Sequence, residues 1–128
     1  MKIFLKIGIL ASVVLLVFVS SCKKEPGDGG LATIHGKVFA YKTTGSDSGY
    51  KAAVNVYLSY GNHTWEDQNA NTSYTGEYAF PFLHTGDYTV WIVNKCDTCP
   101  LKQSYDLAHV SINNPRGTVE VRDLINYY

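Results

Sequence analysis

The chain has no excess charge of either sign: 11 Lys and Arg stand against 11 Asp and Glu, for a formal net charge of zero with the four His neutral. Binding to a phosphate backbone needs a basic surplus, so nucleic acid is excluded as a partner. Cysteine is scarce, at three residues. No second Cys-x-x-Cys, His-Glu-x-x-His or paired-His spacing accompanies Cys96-Asp97-Thr98-Cys99, so a zinc ion there would lack two ligands. No glycine-rich phosphate loop is present, and no cofactor is expected. With 128 residues the chain holds one domain at most, which rules out folds of roughly 200 residues or more such as the (β/α)8 barrel. Beyond residue 31 no apolar run is long enough to cross a bilayer.

What is present begins with an address. Lys2 and Lys6 precede an apolar run over 7–19, which as a helix would cover roughly 20 Å against a hydrocarbon core of about 30 Å. A secretory signal is therefore expected over 1–21 rather than a membrane span. The run ends in Val19-Ser20-Ser21-Cys22, which resembles the lipobox of bacterial lipoproteins, with Val19 where Leu is favoured. The resemblance implies that Cys22 becomes the acylated first residue, anchored in the cell envelope at the outer membrane. Acyl chains contribute about 0.8 kcal/mol per buried CH₂, so the membrane itself becomes a partner through Cys22. After it, 22–30 reads as a flexible tether, because Pro26, Gly27, Gly29 and Gly30 oppose regular structure.

From residue 31 to 128 short alternating runs recur between Gly, Asn, Asp and Pro clusters, with no helical period. Strands are expected over 34–41, 52–60, 63–66, 77–80, 87–94, 105–112 and 118–125. Seven strands of this kind predict an all-β fold, an antiparallel Greek-key sandwich of two sheets. Val38, Val54, Val56, Leu58, Tyr78, Phe80, Tyr88, Val90 and Ile92 fall on the core-facing parity. Gly76 and Gly86, each just before a strand, suit a positive φ.

The order of several short motifs resembles the carboxypeptidase regulatory-like domain, a transthyretin-like β-sandwich of bacterial envelope proteins. Gly36-Lys37-Val38 resembles its opening strand, and Ala52-Ala53-Val54-Asn55-Val56-Tyr57-Leu58 its second. Thr75-Gly76-Glu77-Tyr78-Ala79-Phe80 and Leu83-His84-Thr85-Gly86-Asp87-Tyr88-Thr89-Val90 resemble its Gly-x-Tyr-x-Phe and Leu-x-x-Gly-x-Tyr-x-Val pieces. The family's usual Gly-x-Pro-Leu is missing over 41–51. The resemblance implies a non-enzymatic accessory module with no catalytic residues.

Phe39, Tyr41, Tyr57 and Trp91 lie on the parity opposite the core. If the first, second and fifth strands share a sheet, as the resemblance implies, these rings form one exposed patch for a protein partner or a glycan; otherwise the tether or Asn126-Tyr127-Tyr128 covers them. A glycan-binding module would add Trp65 as a stacking platform. Cys96 and Cys99, exported to an oxidising compartment, are expected to close a disulfide, with metal binding or a thiol oxidoreductase as the alternatives. Asp67-Gln68-Asn69-Ala70-Asn71 mimics half a calcium loop, but Thr72 and Tyr78 stand where Gly and Glu are needed, so a polar hairpin loop is expected. His35, His63, His84 and His109 are isolated in sequence and read as solvated or core-edge residues.

Overall fold

The computed structural model describes residues 25–128; the signal segment and Cys22 lie outside the described residues. The described residues are all-β, in two sheets, as the alternating runs predict. The nine strands are β1 (Asp28–Tyr41), β2 (Ser48–Tyr50), β3 (Asn55–Tyr60), β4 (Gln68–Asn71), β5 (Glu77–Leu83), β6 (Gly86–Lys95), β7 (Gln103–Ile112), β8 (Thr118–Glu120) and β9 (Leu124–Tyr127). One sheet is built on β1, which pairs antiparallel with β5 and β2 and parallel with β8 and β9. The other has the order β4-β3-β6-β7 and is antiparallel throughout.

Nine strands replace the expected seven, and the first sheet is mixed rather than antiparallel. The run expected over 118–125 breaks into β8 and β9, which pair with β1 on either side of 121–123. The Val121 amide donates to the His35 carbonyl, and the Ile125 amide donates to the Asp106 carboxylate at 2.7 Å. The strand expected over 63–66 is a loop, and Gln68–Asn71, expected to be a polar loop, pairs with β3 instead. Strand β5 runs through Pro81 where a stop was expected. It pairs only with β1, so the missing N–H costs no ladder bond, and Phe82 at φ 60° makes an irregular end.

Alternation places the core between the sheets. Ile34, Val38, Val56, Leu58, Phe80, Tyr88, Val90 and Ile92 are buried, and so is Tyr78; Val54 packs against this cluster from a partly buried position. The core-facing parity read from the sequence therefore holds in β1, β3, β5 and β6. Gly76 has φ 77° and passes its carbonyl to the Val38 amide at 2.9 Å, so it turns the chain into β5 at a conformation that costs an L-residue.

The segment expected to be a loose tether is docked from Pro26 onward, and Asp28, Gly29 and Gly30 belong to β1. Its composition did prepare this: Gly30 lies against the Leu83 carbonyl, where a side chain has no room. The Gly27 amide donates to Tyr88 Oη at 2.9 Å, Tyr88 Oη donates to the His84 carbonyl at 2.7 Å, and the His84 amide donates to the Gly27 carbonyl at 2.9 Å. Pro26 sits over Gly86, where an added Cβ would lie 2.8 Å from its ring.

Candidate functional site

Strand pairing lays the outward side chains of β3, β6 and β7 out in rows. Tyr57, Trp91 and Leu107 form one row, and Ser59, Thr89 and His109 the next. Beyond these Asp87 stands opposite Ser111, and in the other direction Val93 stands opposite Tyr105. The face thus grades from aromatic to polar along the strands, with about 7 Å between rows and about 10 Å across three strands.

At the aromatic end Tyr57 and Trp91 stack with centroids 4.5 Å apart and planes 26° from parallel, and Tyr105 meets Trp91 edge-on at 5.8 Å. Tyr105 and Leu107 remain 54% and 45% exposed. The loop between β3 and β4 raises a wall beside them, in which Trp65 stacks on His63 at 4.3 Å.

Asp67 holds that wall in place. Its carboxylate accepts from the Tyr60 amide at 2.7 Å and from Trp65 Nε1 at 3.2 Å, and lies 2.7 Å from His63 Nδ1. Burial opposes its ionisation, but the Tyr60 amide and the His63 and Trp65 rings outweigh that and hold its pKa below the usual carboxylate value. Ser59 joins wall to sheet, donating to the Trp65 carbonyl at 2.5 Å and accepting from Trp91 Nε1 at 3.0 Å.

Wall and sheet enclose a groove. Its aromatic end, about 400 Å³, is lined by Ser59, Thr64, Trp91, Tyr105 and Leu107. Its polar end, about 560 Å³, is lined by Asn62, Asp87 and Ser111 among others, and His63, Thr89 and His109 border both ends. Ser111 Oγ donates to Asp87 at 2.6 Å, and Thr89 Oγ1 lies 3.0 Å from His109 Nδ1. The exposed Tyr105 ring and Leu107 beside several oriented polar groups suit a molecule with one apolar face and a hydroxylated rim.

The single patch expected of Phe39, Tyr41, Tyr57 and Trp91 does not form. β1 belongs to one sheet and β3 and β6 to the other, so the four rings divide between the two outer faces. Phe39 packs on Tyr41 at 5.1 Å and on Tyr50 at 5.2 Å, while Tyr127 stacks on Tyr41 at 6.0 Å. The C-terminal residues thus cover part of the β1 pair, as the alternative reading of these rings held. Sequence reasoning missed Tyr105, Leu107, His63 and His109 as neighbours of Trp91. The alternation Tyr105-x-Leu107-x-His109-x-Ser111 carried the signal for three of them; His63 arrives through a loop whose path no periodicity reports.

Cys96 and Cys99 lie at disulfide distance, with Cα atoms 5.4 Å apart, in the turn that joins β6 to β7. Among the described residues no three His, Cys, Asp or Glu side chains converge as a metal site requires, and no helix is long and apolar enough to cross a membrane.

No protein-family model matches the chain, and no curated protein does. Among solved structures it is similar to a protein of Pseudomonas aeruginosa described as a "putative carbohydrate binding protein", with a TM-score of 0.52 at 12% identity. The match covers 77% of this chain and 90% of the other. At that identity the likeness is one of fold.

Proposed function

We propose that the chain is a non-catalytic glycan-binding module, carried on the bacterial cell envelope by an acyl anchor at Cys22. The observation that carries the glycan reading is the row of Tyr57, Trp91 and Leu107, flanked by Tyr105 and running directly into the polar row of Ser59, Thr89 and His109. A sugar ring packs its apolar C–H face on an aromatic side chain while its hydroxyls bond to groups at the edge, and the exposed Tyr105 ring with the polar row supports that reading. The carbohydrate-binding description of the Pseudomonas aeruginosa neighbour supports the same reading. The anchor rests on the lipobox resemblance alone and agrees with the regulatory-like family, whose members serve as envelope accessories. The cysteine pair fits a structural role better than a redox one, because it sits in a turn between strands, away from any helix N-terminus that would activate a thiol.

Affinity gel electrophoresis of the full chain in detergent, across a panel of polysaccharides, tests the glycan reading. At least one polymer retards the wild type, and Tyr105→Ala weakens that retardation about tenfold, equivalent to about 1.4 kcal/mol. No retardation by any polymer defeats it. A second reading, as a protein-interaction module, rests on the opposite face, where Tyr41, Tyr50 and Tyr127 expose their rings around Phe39. A pull-down partner lost with Tyr41→Ala and kept with Tyr105→Ala would favour it.

A further inference from the structure

The groove's charges narrow the class of glycan, an inference that rests on the glycan-binding reading. None of the residues lining either end is Lys or Arg. Among the described residues the nearest cation on the same face of β6 is Lys95, about 14 Å along the strand from Trp91, and Arg122, which donates to the Leu107 carbonyl from the edge of β7, is held by both oxygens of Asp106. The carboxylates are close by contrast. Asp87 lines the polar end, and Asp67 stands directly behind the His63 and Trp65 wall, kept ionised by its three donors. His63 and His109 are the lining residues able to carry a positive charge, and each is already within hydrogen-bond distance of a partner, Asp67 and Thr89 respectively.

Recognition of a carboxylated, sulfated or phosphorylated sugar depends on guanidinium or ammonium groups that replace the lost water around the anion. Here such a sugar would shed water beside Asp87, and among the described residues no lysine or arginine lines the groove to receive it, which is unfavourable on both counts. A hydroxyl does the opposite. Asp87 Oδ1 is taken by Ser111, and its second oxygen is left to accept from a neutral donor on the ligand. We infer that the groove selects glycans free of acidic groups, and that Asp87 is the residue that determines this specificity.

The test compares the full chain in detergent against neutral polymers (glucan, galactan, mannan, xylan) and acidic ones (polygalacturonate, alginate, chondroitin sulfate), at low and high salt. The expected result is binding to at least one neutral polymer, about tenfold or more tighter than to any acidic one and unchanged by salt. In that case Asp87→Lys narrows or reverses the preference, with an unaltered melting temperature showing that the fold is intact. Tight, salt-sensitive binding to an acidic polymer, lost with Tyr105→Ala, overturns the inference while the glycan-binding reading stands. A preference unmoved by Asp87→Lys overturns the role of Asp87. Binding to nothing in the panel overturns the inference together with the reading beneath it.

Discussion

Two buried tyrosines make opposite predictions for one and the same substitution. Tyr88 and Tyr78 are 1% and 3% exposed. The Tyr88 hydroxyl accepts from the Gly27 amide and donates to the His84 carbonyl. The Tyr78 hydroxyl is buried with no hydrogen-bond partner among the described residues. Burial raises the pKa of both phenols, so each is neutral at physiological pH. Tyr88→Phe keeps the ring and strands one donor and one acceptor, which costs about 1–3 kcal/mol. In a domain of this size that lowers Tm by about 5–20 °C. Tyr78→Phe removes a desolvated hydroxyl that gains nothing from its surroundings, so stability stays level or rises by about 1 kcal/mol. Thermal unfolding by circular dichroism measures both, and hydrogen exchange adds a local readout, since Tyr88→Phe frees the amides of Gly27 and its neighbours while Tyr78→Phe leaves them protected. Equal melting shifts in the two variants, or unchanged exchange at the N-terminal segment in Tyr88→Phe, would refute the hydroxyl bonding described above.

Three further outcomes are expected. Asp106 accepts from both terminal nitrogens of Arg122 and from the Ile125 amide; the Arg122 bonds outweigh its burial and depress its pKa in the folded state. Its contribution is therefore present above the unfolded value of about 4 and is lost as pH falls through the lower folded value. Asp106→Asn should accordingly flatten the acid limb of a pH–stability curve below about pH 4, and an unchanged limb would contradict the depressed pKa. Replacing Cys96 and Cys99 together by Ser opens a loop of only four residues, which costs about 2 kcal/mol by chain entropy and leaves glycan retardation unchanged; loss of binding in a folded double variant would mean the pair has more than a structural part. Gly86 combines φ 146° with Pro26 over its missing side chain. Gly86→Ala should cost about 1–3 kcal/mol and expose the segment around Pro26 to protease, and full protease resistance would show that the docking is incidental.

Period-two alternation was enough to read the fold class and the inward residues of β1, β3, β5 and β6, because burial on one face forces every second side chain to be apolar. The same rule identified Trp91 and Tyr57 as outward. It could not report which strands share a sheet, since pairing partners are chosen by long-range packing, and so the rings of β1 were wrongly grouped with those of β3 and β6. Short strands escaped for another reason: Ser48–Tyr50 and Gln68–Asn71 carry turn-like residues and depend on their neighbour's ladder rather than on their own apolar content. Gly27, Gly29 and Gly30 look like linker composition because glycine serves flexible chain and close backbone approach equally well, and only the Leu83 carbonyl and the Tyr88 hydroxyl decide between them.

The docking of Pro26 also sets how far the domain can stray. Three residues lie between Pro26 and position 22, and even a fully stretched chain over those four steps spans only about 14 Å. With an acyl group at Cys22 the domain would stand like a stud pressed into the bilayer, its Gly61 and Gly86 corner nearest the lipid. Asn62 and Asp87 adjoin that corner, so the hydroxyl-seeking end would look down toward the headgroups while Tyr105 looks away from them.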